Sequence, residues 1–297
     1  MTTETWTADQ VDEHQGGAYD PALYRHHGLV PVLPGPLREL PPAAFNDYAR
    51  QGFLAVGGAL DGVAVRRAVD GIDRLISGQV PEFRGIQWER AVRAQLPGMS
   101  LAERRDAVRK LIYFVDYDPG LHAAAHDPAL LDTVRRLLGD DDIELFADQA
   151  LLKPPGIGRE KPWHQDLAFF DVRPGTRVVG VWIALDRAVV ENGAMHVIPG
   201  SHRDGPVVHF TRRDFQICDA DVTTGGVRAV PLAPGGALFF DGLLHHGTPA
   251  NSSAMRRWAL QFHYAPRASI WRSSEERAAY KSSRLDVFGA DGKNVTC

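Results

Sequence analysis

From residue 143 onward the chain reads as short candidate strands separated by turn sequences rich in glycine and proline. These turns are Pro154-Pro155-Gly156, Glu191-Asn192-Gly193, Pro199-Gly200-Ser201 and Pro234-Gly235-Gly236. Many short strands joined by such turns are typical of a β-sandwich or β-barrel, and the double-stranded jelly roll is one solution. We predict strands over residues 143–153, 161–167, 177–186, 194–198, 236–240, 243–249 and 257–264.

The stretch before these strands has helical periodicity. Apolar residues recur on one helical face at Val65, Val69, Ile72 and Ile76. Ser100 with Glu103 is a capping-box signature, and Asp127-Pro128 supplies a cap and a first-turn proline for a helix that ends at Gly139. We therefore predict a mainly β protein whose core is buttressed by N-terminal helices.

The remaining segments are polar or irregular. The Pro- and Gly-rich N-terminus predicts an irregular arm, and the Arg/Asp-rich insertion at 203–228 is either a lid over the barrel mouth or a disordered surface loop. Because no internal repeat or linker is visible, we expect one domain over 1–297. Its parts are the arm (1–40), the helical buttress (41–140), the strand-rich core (141–266), for which the jelly roll is one solution, and a C-terminal tail (267–297).

Composition narrows the partners and the compartment. A net charge of −4 without blocks of like charge argues against nucleic acid or an anionic membrane as the main partner. The sequence has no long apolar run for a transmembrane helix and no secretory signal. Its two cysteines, Cys218 and Cys297, form no disulfide framework or thiolate cluster, so we expect a cytoplasmic protein. We expect it to be a monomer or a homodimer.

The run Trp163-His164-Gln165-Asp166 predicts part of a metal site. In an extended segment, side chains two apart point to the same face, so His164 and Asp166 project together. A third ligand is available from the distant pair His245-His246. Two histidines and one carboxylate form the facial triad of non-haem iron(II) oxygenases. A lone His-x-Asp carries little weight in a chain with 12 histidines.

The last predicted strand has one polar and one apolar face. The polar face carries Arg257, Ala259, Gln261 and His263, and the apolar face carries Trp258, Leu260, Phe262 and Tyr264. If the polar face points into a barrel, the guanidinium needs an anion, because an unpaired buried charge is costly. A forked arginine fits a carboxylate. The alternative is that the polar face is exposed to solvent.

Taken together, four motifs resemble the phytanoyl-CoA dioxygenase family, a branch of the iron(II)/2-oxoglutarate oxygenases. They are His164-Gln165-Asp166-Leu167, Glu191-Asn192-Gly193, Pro199-Gly200-Ser201-His202, and His246-Gly247-Thr248 followed by Asn251 and Arg257. The resemblance is strong over residues 140–265 and looser over 48–138. It implies a double-stranded β-helix (jelly-roll, cupin-like) core with an iron site near one end.

The resemblance implies that His164, Asp166 and His246 hold the iron. Of the two neighbouring histidines, the family pattern selects the one followed by Gly and Ser or Thr, and strand parity places His246 on the same face as Thr248. Halogenating relatives replace the carboxylate with a small residue, so the presence of Asp166 disfavours halogenation.

The resemblance also implies a site for 2-oxoglutarate. Arg257 would bind the distal carboxylate, with Thr248 as its hydroxyl partner. Trp182 and Gln149 match positions that line the co-substrate pocket. Arg256, one position away, would face outward and is the weaker candidate.

The implied activity is that of a dioxygenase using Fe(II), 2-oxoglutarate and O2 on a small molecule, by hydroxylation or by oxidative cyclisation. The polar inward faces and the arginine-rich insertion favour a polar, sugar-like or other secondary-metabolite substrate. An acyl-CoA or other lipid-type substrate is the alternative, with Arg203, Arg212 and Arg213 available for its phosphates.

Two further alternatives come from other classes of protein. A zinc hydrolase can use two histidines and one carboxylate with an activated water, but it needs a general base beside the metal. A silent binding protein on the same barrel is the second. The zinc hydrolase does not explain Arg257, Thr248 and Trp182, and the intact set of three ligands and the arginine argues against the silent binder.

Overall fold

The computed structural model describes residues 10–11, 17–92, 94–173, 175–270, 273–275, 287–289 and 297. Within these residues, fourteen strands form three sheets. The strands are β1 Gln10–Val11, β2 Phe53–Val56, β3 Ile86–Trp88, β4 Val108–Ile112, β5 Ile143–Lys153, β6 Lys161–His164, β7 Val179–Ala184, β8 Met195–Val197, β9 His209–Thr211, β10 Phe215–Ile217, β11 Arg228–Val230, β12 Ala237–Asp241, β13 His246–Thr248 and β14 Arg257–Pro266.

The described helices lie before the main strands, as predicted. They are α1 Pro42–Gln51, α2 Gly62–Ile76, α3 Leu101–Arg105, α4 Pro119–Ala125 and α5 Pro128–Leu138. The Ser100–Glu103 capping box is confirmed, and the Asp127 side chain accepts hydrogen bonds from the first turn of α5. Gly139 ends α5 in the left-handed conformation (φ 68°). Among the described helices, none has both the length and the apolar character needed to cross a bilayer.

Two facing sheets enclose the interior of the molecule. The larger has the strand order β1-β3-β4-β5-β14-β7-β12-β2, and the smaller has the order β11-β8-β13-β6. Trp182 and Ala259 from the larger sheet pack with Met195 and Val197 from the smaller one. This arrangement confirms the predicted jelly roll.

The helices cover the outer face of the larger sheet. Ile72 of α2 and Val134 of α5 belong to one buried cluster with Trp258, Leu260 and Phe262 of β14. Burying each large apolar side chain contributes roughly 1.5–3 kcal/mol, so this face fixes the orientation of β14. Its polar face therefore points inward, and the solvent-facing alternative is wrong.

The strand that carries the His-x-Asp run is shorter than predicted. β6 ends at His164, and Asp166 begins a 3-10 turn that extends to Phe169. The expectation that one strand presents both side chains is therefore wrong, and a strand end and a turn bring them together instead. The strand predicted from residue 243 begins at His246, because the Asp241 carboxylate accepts the amide of Leu243 and holds a turn.

The insertion at 203–228 is ordered. It contains the hairpin β9–β10, and its Phe215 ring lies 5.5 Å from Phe169 in an edge-to-face contact. The backbone amide of Gln165 donates to Nε2 of His209 on β9 at 3.0 Å. The disordered-loop alternative is therefore wrong, and a lid role stays a prediction.

Candidate metal centre

Three predicted ligands meet at one end of the interior. The strand register places His246 of β13 directly opposite His164 of β6. One oxygen of Asp166, Oδ1, lies 3.3 Å from Nε2 of His164 and 3.5 Å from Nε2 of His246. All three side chains are buried, and their ligand atoms lie within 4.8 Å of one another.

Backbone carbonyls orient both imidazoles. Nδ1 of His164 lies 2.7 Å from the carbonyl oxygen of Pro162, and Nδ1 of His246 lies 2.9 Å from that of Leu244. Because a carbonyl only accepts, each Nδ1 carries the proton and donates it. Each Nε2 is therefore the nitrogen available to a metal, and both point toward Asp166.

The charge states suit a divalent cation. Burial, with the neighbouring charge of His246, lowers the pKa of His164 to about 4, so its imidazole is neutral at pH 7. Burial alone would raise the pKa of Asp166, but the charges of His246 and His263 hold it well below its ordinary value. A buried carboxylate and two imidazoles are the donor set of non-haem iron(II) sites, so these residues fit Fe(II).

His245 is not part of this cluster. Its backbone amide donates to Oγ of Ser201 at 2.8 Å, and its side chain contributes no atom to the group of ligand atoms around Asp166. Of the two neighbouring histidines, the structure thus places only His246 beside Asp166.

A second group of buried polar atoms lies farther along β13 and β14. Arg257 is 1% exposed, donates from Nη1 to the carbonyl of Leu151 at 3.1 Å, and lies with its guanidinium carbon 5.3 Å from the ring centre of Trp182. Burial lowers the pKa of Arg257 to about 9, which leaves it protonated at neutral pH. An unpaired buried cation is energetically costly, so Arg257 requires an anion as its partner.

Three buried polar atoms, one each on β7, β13 and β14, have no hydrogen-bond partner within the described residues. They are Nε of Arg257, Oγ1 of Thr248 and Nε1 of Trp182, and all are buried. A buried donor without a partner costs about 1–3 kcal/mol. A ligand that carries a carboxylate would satisfy donors of this kind, so the residues also fit 2-oxoglutarate.

The predicted pocket residue Gln149 and the weaker candidate Arg256 lie in different places. Gln149 is half-buried on β5 and stands opposite Gln261 of β14, so it shares the inward-facing side. Arg256 pairs with Asp186 at 3.0 Å and stacks over Trp258 at 4.0 Å. Arg256 therefore faces the outer side of the sheet, as expected.

Sequence reasoning missed the residues that surround the ligands. Gln261 and His263 both approach Oδ2 of Asp166, and the Phe240 ring lies 4.7 Å from His246. Phe240 fits only because residue 180 is glycine, whose added Cβ would lie 2.5 Å from that ring. The polar alternation of β14 indicated that Gln261 and His263 face inward, whereas no sequence pattern indicated that Phe240 packs against His246.

Gln165 also has a role that the sequence did not indicate. Its side-chain amide donates to the carbonyls of Gly205 and Leu243, both at 2.8 Å, and its side-chain oxygen accepts from the amide of Val207 at 2.9 Å. Gln165, which lies between His164 and Asp166, thus connects this segment to the insertion and to the turn before β13 by hydrogen bonds.

A jelly roll with a buried His-Asp-His cluster and a buried arginine is the arrangement of iron(II)/2-oxoglutarate oxygenases. Comparison with known families agrees, because the family model "Phytanoyl-CoA dioxygenase (PhyH)" matches residues 48–259. The chain belongs to the phytanoyl-CoA dioxygenase family. It is therefore an oxidoreductase of the class that uses Fe(II), 2-oxoglutarate and O2.

Individual relatives show the range of this similarity. A Caenorhabditis elegans protein described as a probable phytanoyl-CoA dioxygenase is 32% identical over 213 residues, covering 64% of this chain and 68% of that protein. An L-proline trans-4-hydroxylase from Streptomyces griseoviridis is 30% identical over 195 residues, covering 58% and 72%. Against three other curated relatives, the match covers 53%, 48% and 51% of their length.

A solved structure shows the same fold. The non-heme alpha ketoglutarate dependent carbocyclase SnoK from nogalamycin biosynthesis superposes with a TM-score of 0.62 at 22% identity, covering 78% of this chain and 86% of that one.

Proposed function

We propose that this protein oxidises a C–H bond of a small polar molecule, with His164, Asp166 and His246 holding Fe(II). The observation that carries the proposal is the buried cluster of these three ligands, whose imidazole Nε2 atoms both point at one carboxylate oxygen. Bound Fe(II) would activate O2, the oxidant, which oxidises both the substrate C–H bond and 2-oxoglutarate, and the latter would leave as succinate and CO2.

The chain's own residues bind and orient the reactants. Arg257 and Thr248 hold the distal carboxylate of 2-oxoglutarate, with Nε and Oγ1 as the donors that have no other described partner. Trp182 stacks beside the guanidinium and limits its movement. Because these side chains are buried, they keep water away from the co-substrate.

Polar and aromatic groups together form the surroundings expected for a polar substrate. The Phe169 ring lies edge-on to His164, with the ring centres 5.4 Å apart. The Lys161 ammonium lies over the Phe169 ring, 4.3 Å from its centre, in a cation–π contact. Lys161 in turn pairs with Asp214 at 2.8 Å. Neighbouring aromatic and charged side chains of this kind suit a compound that has both apolar C–H faces and polar substituents, such as a sugar-like ring.

The relatives favour two outcomes for the reaction. The Streptomyces griseoviridis relative is named for hydroxylation of a small amino acid, which supports hydroxylation as the default. The structural relative from nogalamycin biosynthesis is named a carbocyclase, so oxidative cyclisation is the second outcome.

The acyl-CoA alternative loses part of its support. It needs basic groups for the phosphates, and Arg213 is already bound by Glu160 and Asp219 at 2.8 and 2.6 Å. Arg212 donates to the carbonyl of Cys297 at 3.1 Å. The zinc-hydrolase alternative gives Arg257 and Thr248 no task, and the intact set of three ligands argues against a silent binding protein.

The test is formation of succinate from 2-oxoglutarate with added Fe(II), during a mass-spectrometric screen of candidate metabolites. We expect a product that gains an oxygen atom or loses two hydrogens, and no turnover in Asp166→Ala. Full turnover in Asp166→Ala would rule out the assigned site. A substrate that stimulates succinate release without either mass change would contradict C–H oxidation.

A further inference from the structure

The two oxygens of Asp166 have different neighbours. Oδ1 faces the Nε2 atoms of His164 and His246. Oδ2 lies 2.7 Å from Nε2 of His263 and 3.1 Å from Nε2 of Gln261. His263 is 0% exposed and Gln261 is 5% exposed, so bulk water does not compete for these contacts.

Hydrogen-bonding rules assign the protons of this group. Nε2 of His263 also lies 3.0 Å from Nε2 of Gln261, so His263 either donates to Asp166 or accepts from Gln261. In the second case its proton would sit on Nδ1, which is buried and has no partner within the described residues. An unprotonated Nε2 would also face Oδ2 of Asp166 at 2.7 Å, where an ionised carboxylate only accepts, so two lone pairs would oppose each other. His263 therefore carries its proton on Nε2 and, with Gln261, donates to Oδ2.

We propose that His263 and Gln261 are positioning residues that hold Oδ2 of Asp166 and leave Oδ1 alone to bind the metal. The inference rests on the proposed function. On a bound iron(II), two imidazoles, one carboxylate oxygen and a chelating 2-oxoacid would occupy five of about six positions and leave one for O2. A carboxylate that bound through both oxygens would take that last position.

The surrounding packing fixes the orientation of His263. Its ring lies 4.6 Å from Phe170 and 6.2 Å from Phe146. Phe146 sits at a β-bulge, where His263 pairs with Ala147 and Tyr264 pairs with Leu145, so residue 146 has no partner on β14. Bulges re-aim side chains beside functional sites. Here the bulge directs an aromatic ring against the residue that donates to Asp166.

The strand β14 carries residues of both the proposed metal site and the proposed co-substrate pocket. Arg257, Gln261 and His263 lie on the inward face of β14, which is paired along its length with β5 and over six residues with β7. The co-substrate arginine and the two donors to Asp166 are therefore held by one rigid element. We expect the metal geometry to depend on these donors even though neither contacts the metal.

The experiment compares anaerobic Fe(II) affinity, with and without 2-oxoglutarate, in wild type, His263→Leu, His263→Gln and Gln261→Leu. Removing a hydrogen-bond partner of a metal ligand typically costs 10- to 100-fold in metal affinity. We expect a loss of about that size in both leucine variants and substantial recovery in His263→Gln, which keeps a donor. The control is His196→Leu, which removes an equally buried histidine that contacts Tyr24 instead of the triad.

Thermal unfolding of the metal-free proteins shows which variants fold. Wild-type Fe(II) affinity and an unchanged visible band of the iron–2-oxoglutarate chelate in His263→Leu would overturn the proposal. Where His263→Leu does not fold, wild-type affinity in Gln261→Leu overturns it equally. If the wild type itself binds no Fe(II), the proposed function fails instead, so the two failures are distinguishable.

Discussion

His164 and His246 stand opposite each other across β6 and β13, with their ring centres 4.2 Å apart. Neither strand alone makes a site, because each supplies one imidazole. Their pairing fixes the separation of the two rings, and the turn after β6 adds the carboxylate of Asp166 between them. The proposed iron site is thus a consequence of strand register.

The first prediction separates two adjacent histidines. His246→Ala should abolish Fe(II) binding, because it removes one of three ligands. His245→Ala should retain it, since the His245 side chain lies outside the cluster. Anaerobic titration calorimetry with Fe(II) measures both. Loss of binding in His245→Ala alone would show that the wrong histidine has been assigned.

The second prediction separates two adjacent arginines. Arg257→Met should weaken 2-oxoglutarate binding by about 10- to 100-fold, because hydrogen bonds to a charged group contribute about 1.5–3 kcal/mol. Arg256→Met should leave this affinity unchanged, since Arg256 pairs with Asp186 on the outer side of the sheet. The measurement is the apparent KM for 2-oxoglutarate in both variants. Equal effects would contradict the assigned pocket.

The third prediction concerns the link between the insertion and the His-x-Asp run. His209 is buried, its pKa is lowered to about 3 by that burial, and it accepts the amide of Gln165. His209→Ala should lower the free energy of unfolding by about 1–3 kcal/mol, because that amide loses its partner. His27→Ala, at an exposed position, should change it by less than about 0.5 kcal/mol. Urea denaturation measures the unfolding free energy of both variants. Equal losses would argue against a stabilising link between the insertion and the His-x-Asp run.

The fourth prediction is a pH dependence. Burial raises the pKa of Asp148 to about 6, although the amides of Phe114 and Val115 donate to it. The folded state therefore holds this proton more tightly than the unfolded state. Stability from this group is present below about pH 4 and is lost as the pH rises to about 6. About two pKa units correspond to roughly 3 kcal/mol.

Asp148→Asn removes this titration. The difference in unfolding free energy between Asp148→Asn and wild type should therefore grow between pH 4 and pH 6 in favour of the variant, and stay constant above pH 7. Using the difference cancels the buried histidines, whose lowered pKa values act in the opposite direction in both proteins. A difference that does not vary with pH would contradict the raised pKa.

The fold was predictable because local patterns agree with it. The short strands with glycine and proline turns predicted a β-sandwich or β-barrel, and the family resemblance implied the jelly roll. The caps at Ser100 and Asp127 predicted the helices. Strand ends were less predictable, because the turn at Asp166 and the Asp241 turn depend on tertiary contacts.

The site was predictable only in part. The side chains of His164, Asp166, His246, Arg257 and Thr248 carry recognisable chemistry in order along the chain. The contacts of His263 with Asp166 and of Phe240 with His246 depend on how distant strands are paired. The ordering of 203–228 depends on hydrogen bonds made by Gln165, which sequence patterns do not encode.

Anaerobic titration of the purified protein with Fe(II) and 2-oxoglutarate, followed by visible absorption, tests the central claim most directly. We predict a weak charge-transfer band that saturates at one iron per chain in the wild type and is absent in Asp166→Ala. No band in the wild type, or an equal band in Asp166→Ala, would contradict the iron(II)/2-oxoglutarate site formed by His164, Asp166 and His246.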